Sequence, residues 1–366
     1  MAIFLLGLFL FISLINILYF IGYFSFASAK ENKSTFTPPV SVIICAKNEA
    51  ENLRKFVPTI LDQDYPEFEI ILVNDASTDE TLEVMEEFQK LDPRIKLVNV
   101  QNIEAFWGKK KYALTLGIKK ATHSYLLFTD ADCEPATNLW IAEMASNFKN
   151  DKSIVLGYGG YHKKKGSFIN KAIRYETFLT AIQYFSYAQW GSPYMGVGRN
   201  LAYTSQEFYD QNGYATHLHI RSGDDDLFVN QAATPDNTAI TFNKSGITRS
   251  IPKESFNSWV FQKRRHIATA KYYKKKHKFL LALFYITQFA FWILLTALLI
   301  LKIYWPLVVG IVILRLIIQS IVFYKSAKKL DEMDLLWLFP FLEVFLIFTQ
   351  LGIFSMNIIS KPASWK

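Results

Sequence analysis

The chain has 366 residues, of which 51% are hydrophobic, and its formal net charge is +8. This length and composition allow one sizeable soluble domain together with membrane-spanning segments. Two cysteines, Cys45 and Cys133, are too few for a disulfide scaffold, and a small buried thiol is the default interpretation of each.

Long apolar segments stand at both ends of the chain. The first covers residues 2–29, contains no charge and is long enough to cross about 30 Å of hydrocarbon. Three more follow at about residues 279–301, 303–324 and 335–359. We therefore predict a transmembrane anchor over residues 1–29 and two to three membrane helices within residues 279–359.

A cleaved signal peptide is the alternative interpretation of the first segment, because Ala27-Ser28-Ala29 resembles a cleavage site. Against it, the apolar core is long and no basic residue precedes it. Lys30 and Lys33 follow the core, which favours a retained anchor whose C-terminal end is cytoplasmic.

Strand and helix patterns alternate through residues 38–253 at roughly 25–30 residues per unit, so we predict a doubly wound, mostly parallel α/β sheet. The predicted strands are residues 40–45, 68–73, 95–100, 124–129, 154–158 and 201–203, followed by a strand pair at 238–242 and 247–251. The predicted helices are residues 48–61, 78–89, 108–121, 137–148 and 169–188, with short helices starting at Ser205 and after Asp226.

The positive charge is concentrated between residues 263 and 278, directly before the second apolar segment. A nucleic-acid patch could have this composition. Beside a membrane segment, attraction to anionic lipid is the better explanation, and we predict no nucleic-acid partner. Aromatic and basic residues alternate at helical spacing from Glu254 to Tyr273, so residues 254–278 are assigned to an amphipathic interface helix and a basic segment.

Acidic residues stand at the ends of three predicted elements. Asp75 follows the second strand, Asp130 and Asp132 follow the fourth, and an acidic triplet at 224–226 precedes a short helix. Carboxylates at the C-terminal edge of such a sheet suit Mg²⁺ or Mn²⁺ and a phosphate-bearing ligand. The structural alternatives are helix caps for the pair and for the triplet, and a turn residue for Asp75.

A polyphosphate substrate accounts for all three acidic groups. A metal on Asp132 would neutralise a pyrophosphate, Asp75 would accept hydrogen bonds from a nucleobase or ribose, and an acid without metal would take a proton from an attacking hydroxyl. Lysines 109–111 would add positive charge at the same edge, the alternative being a solvated helix face.

Taken in order along the chain, Asp75, the lysines at 109–111, the pair of Asp130 and Asp132 and the acidic triplet resemble the motifs of one family. They resemble the family 2 inverting glycosyltransferases of GT-A fold, especially membrane-anchored members similar to ceramide glucosyltransferases and bacterial lipid or polysaccharide glycosyltransferases. The resemblance covers about residues 38–270. It implies that nucleotide-sugar contacts come from Ala46, Glu49, Asp75, Lys110 and Asp130. It also implies that Asp132 and Asp130 hold the metal.

The last part of the resemblance concerns the reacting groups. Gly223-Asp224-Asp225 matches the family's acidic motif, which implies Asp225 as catalytic base and Asp224 as the second candidate. Residues 262–266 match a Gln-x-x-Arg-Trp motif, which implies pyrophosphate or acceptor contacts from Gln262 and Arg265. His266 stands where the family has Trp, so an acceptor contact there is in doubt.

The resemblance implies a metal-dependent transfer of sugar from a nucleotide sugar, with UDP the usual carrier and GDP possible, to a lipid or lipid-linked acceptor. It also places the chain in the bacterial inner membrane with its catalytic domain in the cytoplasm. Elongation of a cell-surface polysaccharide is the first alternative. A non-catalytic nucleotide-binding scaffold and a nucleotidyltransferase are others, but the latter explains neither Gln262 and Arg265 nor the membrane segments.

Two charged residues interrupt the last apolar segments. Arg315 lies within the third segment and Glu343 within the fourth, and we expect them either to pair or to line an acceptor path. Three full crossings after a cytoplasmic domain would place Lys361 and Lys366 outside, against the positive-inside rule. One segment is therefore a candidate for a re-entrant or interfacial helix, and Trp365-Lys366 resembles a terminal element of related enzymes.

Overall fold

The structure, a computed structural model, describes residues 1–31, 34–101, 110–149, 151–220 and 222–360. Gly108 and Lys109, at the start of a predicted helix, and the Trp365-Lys366 element lie outside the described residues.

The described helices and strands follow the predicted alternation. The helices are α1 (Ala2–Ser28), α2 (Ala50–Leu61), α3 (Thr81–Leu91), α4 (Lys110–Lys120), α5 (Trp140–Ala145), α6 (Phe168–Gln189), α7 (Ser205–Asp210), α8 (Asp226–Ala232), α9 (Phe256–Ile267), α10 (Lys275–Ile300), α11 (Trp305–Leu330) and α12 (Phe339–Ile359). The strands are β1 (Val40–Ala46), β2 (Phe68–Asp75), β3 (Ile95–Val100), β4 (Tyr125–Asp130), β5 (Cys133–Pro135), β6 (Ile154–Leu156), β7 (Gly159–Tyr161), β8 (Leu201–Thr204), β9 (Thr238–Ile240) and β10 (Thr248–Ser250).

A seven-stranded sheet within the described residues has the order β3-β2-β1-β4-β8-β6-β9. Strands β3, β2, β1 and β4 are parallel, and β8 is antiparallel to β4. All eight residues of β2 are buried, since helices cover both faces of a doubly wound sheet. The register pairs Cys45 with both Val73 and Asp130, so the C-terminal ends of β1, β2 and β4 meet at one edge.

The predicted pairing of residues 238–242 with 247–251 is wrong. β9 pairs with β6 in the large sheet, whereas β10 pairs with β5 and β7 in a separate three-stranded sheet. The physical reason is the connection between them: the Asn243 side chain caps a 3₁₀ turn over Lys244–Gly246, which sends the chain to the second sheet instead of back along β9.

The predicted continuous helix from Glu254 to Tyr273 is also wrong in extent. Helix α9 ends at Ile267, a 3₁₀ turn covers Ala270–Tyr272, and α10 begins at Lys275. Thr269 and Tyr273 both donate hydrogen bonds to the Asp226 carboxylate, the latter at 2.6 Å. These bonds hold the linking segment against α8 and redirect it between the two helices.

Within the described residues, four helices (α1, α10, α11 and α12) are long and apolar enough to cross a membrane. Helix α1 is an integral part of this bundle, because the Tyr19 hydroxyl donates to the Leu280 carbonyl of α10 at 2.7 Å and the Lys329 ammonium of α11 donates to the Phe26 carbonyl at 2.9 Å. The indole of Trp190, just after α6, donates to the Gly22 carbonyl at 3.1 Å. Removal of residues 1–29 would therefore expose apolar faces of three helices.

Arg315 and Glu343 form an ion pair, which was one of the two predicted arrangements. The guanidinium is fully buried and also donates to Gln319 at 2.9 Å and to Gln288 at 2.6 Å. This arrangement satisfies the requirement that a charge inside an apolar bundle be paired and hydrogen-bonded.

Helix α12 has α/β-domain elements beside both of its ends. Near its start, the Phe345 ring packs against Phe168 of α6 with centroids 5.1 Å apart. Near its end, Arg264 of α9 donates to the Asn357 side chain at 2.9 Å and to the Ser360 carbonyl at 2.6 Å. Unlike α10, which leads away from the domain, α12 therefore starts and ends close to it.

Candidate active site

A cavity of about 410 Å³ lies at the C-terminal edge of β1, β2 and β4. It extends from the strand ends, past α6 and α9, to α10 and α12. All predicted site residues line it, namely Ala46, Glu49, Asp75, Lys110, Asp130, Asp132, Asp224, Asp225, Gln262, Arg265 and His266. The structure thus brings together residues that are up to 220 positions apart in the sequence.

The loops after β1 and β2 hold each other in place. The Asn48 backbone N–H donates to the Ser77 hydroxyl at 3.0 Å, and the Thr78 N–H donates to the Asn48 side-chain oxygen at 2.8 Å. Asn48 and Ala76 both have positive φ, at 55° and 49°, which is the conformation that turns each chain away from its strand end. This interlock presents Glu49 and Asp75 to the same end of the cavity, and the Asp75 side chain is buried.

Lys110 lies between two of the acidic groups. Its ammonium is 2.8 Å from Asp130 and 3.2 Å from Asp224. Burial favours the neutral form of Asp130, but the charge and hydrogen bond of Lys110, together with the charge of Arg199, outweigh it and lower the pKa of Asp130. The lysine therefore joins the end of β4 to the acidic triplet.

Asp130, Asp132 and Cys133 have potential ligand atoms that all lie within 4.8 Å of one another. The two carboxylates are hard oxygen donors suited to Mg²⁺ or Mn²⁺, whereas burial raises the pKa of the Cys133 thiol and keeps it protonated. Burial and the adjacent Asp130 charge raise the pKa of Asp132, against the opposing charge of Arg199. The carboxylates fit a divalent cation, and Asp130 is already paired with Lys110, which leaves Asp132 the more available of the two.

Asp225 occupies the N-cap of α8. Its carboxylate accepts hydrogen bonds from the Gly198 N–H at 2.7 Å and from the Asp226 N–H at 2.8 Å. Burial, helped by the neighbouring charges of Asp224 and Asp226, raises the pKa of Asp225 to about 7. A carboxylate with that pKa is basic enough to accept a proton near neutral pH, and it lines the cavity.

Lys111 is a functional candidate that the sequence did not separate from its neighbours. The side chain is 1% exposed, and its three donors reach the carbonyls of His217, Ile220 and Ser222 at 2.8, 2.8 and 2.7 Å. These carbonyls belong to the loop that leads into the acidic triplet. A basic run of three lysines gave no signal that the last would be buried, because its partners are more than 100 positions away.

Helix α9 forms a further part of the wall. Gln262, Arg265 and His266 all line the cavity. His266 is exposed toward the cavity. Partial desolvation in the site and the nearby charges of Lys263 and Arg265 lower the pKa of His266, which favours the neutral ring.

Helix α6 supplies cavity residues that the sequence analysis missed, among them Glu176, Thr177, Thr180 and Gln183. Glu176 pairs with Lys263 of α9. A signal was present, because these polar residues interrupt an aromatic-rich helix at the spacing of a single face.

Comparison with known proteins agrees with this architecture. Residues 41–213 match the family described as glycosyl transferase family 2. An uncharacterised glycosyltransferase of Haemophilus influenzae is 31% identical over 157 residues, which are 43% of this chain and 44% of that protein. The poly-beta-1,6-N-acetyl-D-glucosamine synthase of Staphylococcus epidermidis is 38% identical over 93 residues, 25% of this chain and 21% of the synthase. The chain thus spans less than half the length of these curated relatives.

Among solved structures, the mannosyltransferase PcManGT of Pyrobaculum calidifontis, in complex with GDP-Man and Mn²⁺, is similar with a TM-score of 0.59 and 19% sequence identity. The likeness covers 90% of this chain and 97% of that one. At this identity the likeness establishes the fold, and the predicted GT-A architecture is confirmed.

Proposed function

We propose that this chain, whose residues 41–213 form a family 2 glycosyltransferase domain, transfers a sugar from a nucleotide diphosphate sugar to a hydroxyl of a lipid or lipid-linked acceptor. The observation that carries the proposal is the course of the cavity. It begins among the carboxylates at the strand ends and reaches α10 and α12, so a donor and a membrane-embedded acceptor have access to the same space.

The donor lies at the strand-end part of the cavity in this proposal. Asp75 accepts hydrogen bonds from the nucleobase or ribose, and the loop carrying Ala46 and Glu49 contacts the nucleoside. Mg²⁺ or Mn²⁺ on Asp132, supported by Asp130, would neutralise the pyrophosphate and the charge that develops on the leaving group. A UDP-sugar is the donor we expect, with a GDP-sugar as the alternative because the structural neighbour binds GDP-Man.

The transfer step uses Asp225 as the base. Its carboxylate removes the proton of the acceptor hydroxyl while the hydroxyl oxygen attacks the anomeric carbon. The new carbon–oxygen bond forms opposite the breaking bond to the diphosphate oxygen, so the anomeric configuration inverts. The two backbone N–H groups that bind Asp225 fix its orientation. Gln262 and Arg265 are placed to contact the pyrophosphate or the acceptor.

The acceptor lies at the membrane end of the cavity. Four residues of α12, at positions 346, 349, 350 and 353, share one helix face and line the cavity, and Leu281 of α10 joins them. A lipid chain extending past these helices would leave its hydroxyl near the acidic triplet. The short distance between the cavity and the apolar helices supports a lipid-borne acceptor.

The contacts of α12 also support a topology in which α1, α10 and α11 cross the membrane and α12 returns to the side of the α/β domain. Both ends of α12 lie beside domain elements. The basic residues at 271–278 and at 325–329 lie at the domain ends of α10 and α11. By the positive-inside rule this side is cytoplasmic, as in a bacterial inner membrane.

Elongation of a cell-surface polysaccharide is the second candidate, and one observation favours it: a relative from Staphylococcus epidermidis is named as a polymer synthase. That similarity covers only 25% of this chain. The two functions share the donor chemistry and differ in the product.

Membranes containing the protein, and matched membranes without it, are incubated with a panel of labelled nucleotide sugars, after which lipid and polymer are extracted separately. We expect label in the lipid fraction, dependent on the protein, abolished by EDTA and restored by Mg²⁺ or Mn²⁺. Label in polymer favours the second candidate. If no nucleotide sugar is consumed beyond the control, the proposed function is wrong.

A further inference from the structure

Helix α6 carries a row of polar side chains into the cavity. Glu176, Thr180 and Gln183 follow the i, i+4, i+7 spacing of one helix face, with Thr177 beside them. We call these four residues the α6 polar row. The rest of the helix packs into the aromatic core, as Phe178 and Phe185 do. The α6 polar row therefore presents polar atoms to the cavity from a helix that packs elsewhere into the protein.

Several polar atoms around this row lack a hydrogen-bond partner within the part of the chain that the structure describes. They are the Thr177 hydroxyl, the Gln262 amide oxygen and the Trp259 indole nitrogen, and all three residues line the same cavity. Buried polar atoms in proteins are almost always hydrogen-bonded, and we take three exceptions around one cavity as support for a ligand that binds there.

The hydrogen-bonding groups of the α6 polar row indicate which class of ligand it can bind. Glu176 pairs with Lys263 and accepts a hydrogen bond from the Thr180 hydroxyl at 3.2 Å, so its charge is compensated. The hydroxyls and amides that remain can both donate and accept hydrogen bonds, which matches alcohol groups better than an anion or an alkyl chain. The rings of Tyr184 and Tyr194 add flat apolar surface beside them.

The row lies close to the reacting group. Asp225, Asp226, Tyr194 and Glu176 line the same cavity. Burial raises the pKa of Tyr194, and the charges of Asp226 and Glu176 both contribute to this shift. A head group bound at the row would therefore share the cavity with Asp225.

We propose that the α6 polar row is the subsite for a hydroxyl-rich head group on the acceptor, which makes the acceptor a lipid that already bears a sugar. The inference rests on the proposed function, since it assigns the acceptor of that reaction. A site built to hydrogen-bond hydroxyls discriminates strongly against a ligand without them, because its polar groups then stay unpaired. A lipid alcohol or a lipid phosphate would leave the row unused.

Binding of radiolabelled octyl β-D-glucoside to the full-length protein in nanodiscs tests the subsite without requiring turnover. We expect unlabelled octyl glucoside to displace the label, and tetraethylene glycol monooctyl ether, which has the same tail but no sugar ring, to fail. Thr177→Val, and independently Thr180→Val, should weaken binding about fivefold, the effect of losing one neutral hydrogen bond.

Thr287→Val is the matched control. Its hydroxyl lies outside the cavity lining and donates to its own helix, to the Leu283 carbonyl at 2.8 Å, so binding should change by less than about twofold. Equal displacement by the ether, or equal effects of the Thr177 and Thr287 substitutions, would overturn the subsite. Nucleotide-sugar consumption, measured on the same samples, reports separately on the proposed function.

Discussion

The two ends of the cavity are built on different principles. At the strand ends the wall is charged, and its groups are bound to one another: Lys110 contacts Asp130 and Asp224, and backbone N–H groups hold Asp225. Along α6 and α9 the charges of Glu176 and Lys263 compensate each other, and Thr177 and Gln262 keep atoms without partners among the described residues.

The difference matches what each wall would bind in the proposed reaction. A diphosphate with its cation requires fixed charges, which are oriented before the substrate arrives and gain strength from burial. Recognition of an uncharged head group requires hydrogen-bonding atoms that are still available. We therefore expect substitutions at the charged end to alter the rate, and substitutions along α6 to alter acceptor selectivity.

The largest effect should come from Asp225→Asn, which keeps the shape of the side chain and removes its basicity. We expect kcat to fall by about 10²–10⁴-fold, the usual contribution of a general base, while nucleotide affinity measured by calorimetry stays within about threefold. Asp236→Asn, at an exposed position, is the matched control. Normal turnover by the Asp225 variant would show that Asp225 is not the base. If the corresponding Asp224 variant then lost activity, the role of base would pass to Asp224.

The charged end was largely predictable from the sequence because it depends on local patterns. An apolar strand that ends in a carboxylate predicts where that carboxylate lies, since parallel strands end at a common edge. Asp75, Asp130 and Asp132 were placed by this rule alone. The acidic triplet was recognisable as a helix start, which the N-cap position of Asp225 confirms.

The other end was not predictable, because it is made by contacts between distant segments. The pair of Glu176 with Lys263 joins α6 to α9, and the bonds from Thr269 and Tyr273 to Asp226 end one helix before the next begins. No local periodicity encodes these partners. The same holds for α12, whose composition is that of a membrane helix although both its ends lie beside the domain.

A second large effect is the pH dependence of the charged end. Burial and the neighbouring acids raise the pKa of Asp225 to about 7, well above its usual value. The carboxyl is therefore protonated and inactive as a base below pH 7, and ionised and active above it. We expect kcat/KM to fall about tenfold per pH unit below 7 and to level off above it. Acceptor selectivity, which depends on neutral groups of α6, should not follow this curve, and a parallel change would contradict the division between the two ends.

The smallest predicted effect tests whether Lys111 positions the acidic triplet or merely stabilises the fold. Its ammonium binds three carbonyls of the loop before Gly223. Burial lowers the pKa of Lys111 to about 8, and the charges of the acidic triplet oppose this shift, so lysine and triplet interact by charge. Lys111→Met removes both the three hydrogen bonds and the positive charge. We expect kcat to fall about tenfold through misplacement of Asp225, with little change in donor affinity.

Loss of the Lys111 charge should also change the pH profile of the reaction, which a loss of stability alone would not do. Without the cation, the ionised form of Asp225 is less favoured, so the acid limb of the pH profile should move to higher pH. Lys111→Arg should not restore activity, because a planar guanidinium cannot direct three bonds to carbonyls that converge on one point. Lys119→Met, an exposed position on the same helix, is the matched control. If the variant has a lower melting temperature but an unchanged acid limb of the pH profile, Lys111 only stabilises the fold. Lys110 and the backbone N–H groups would then be the contacts that position the acidic groups at the charged end.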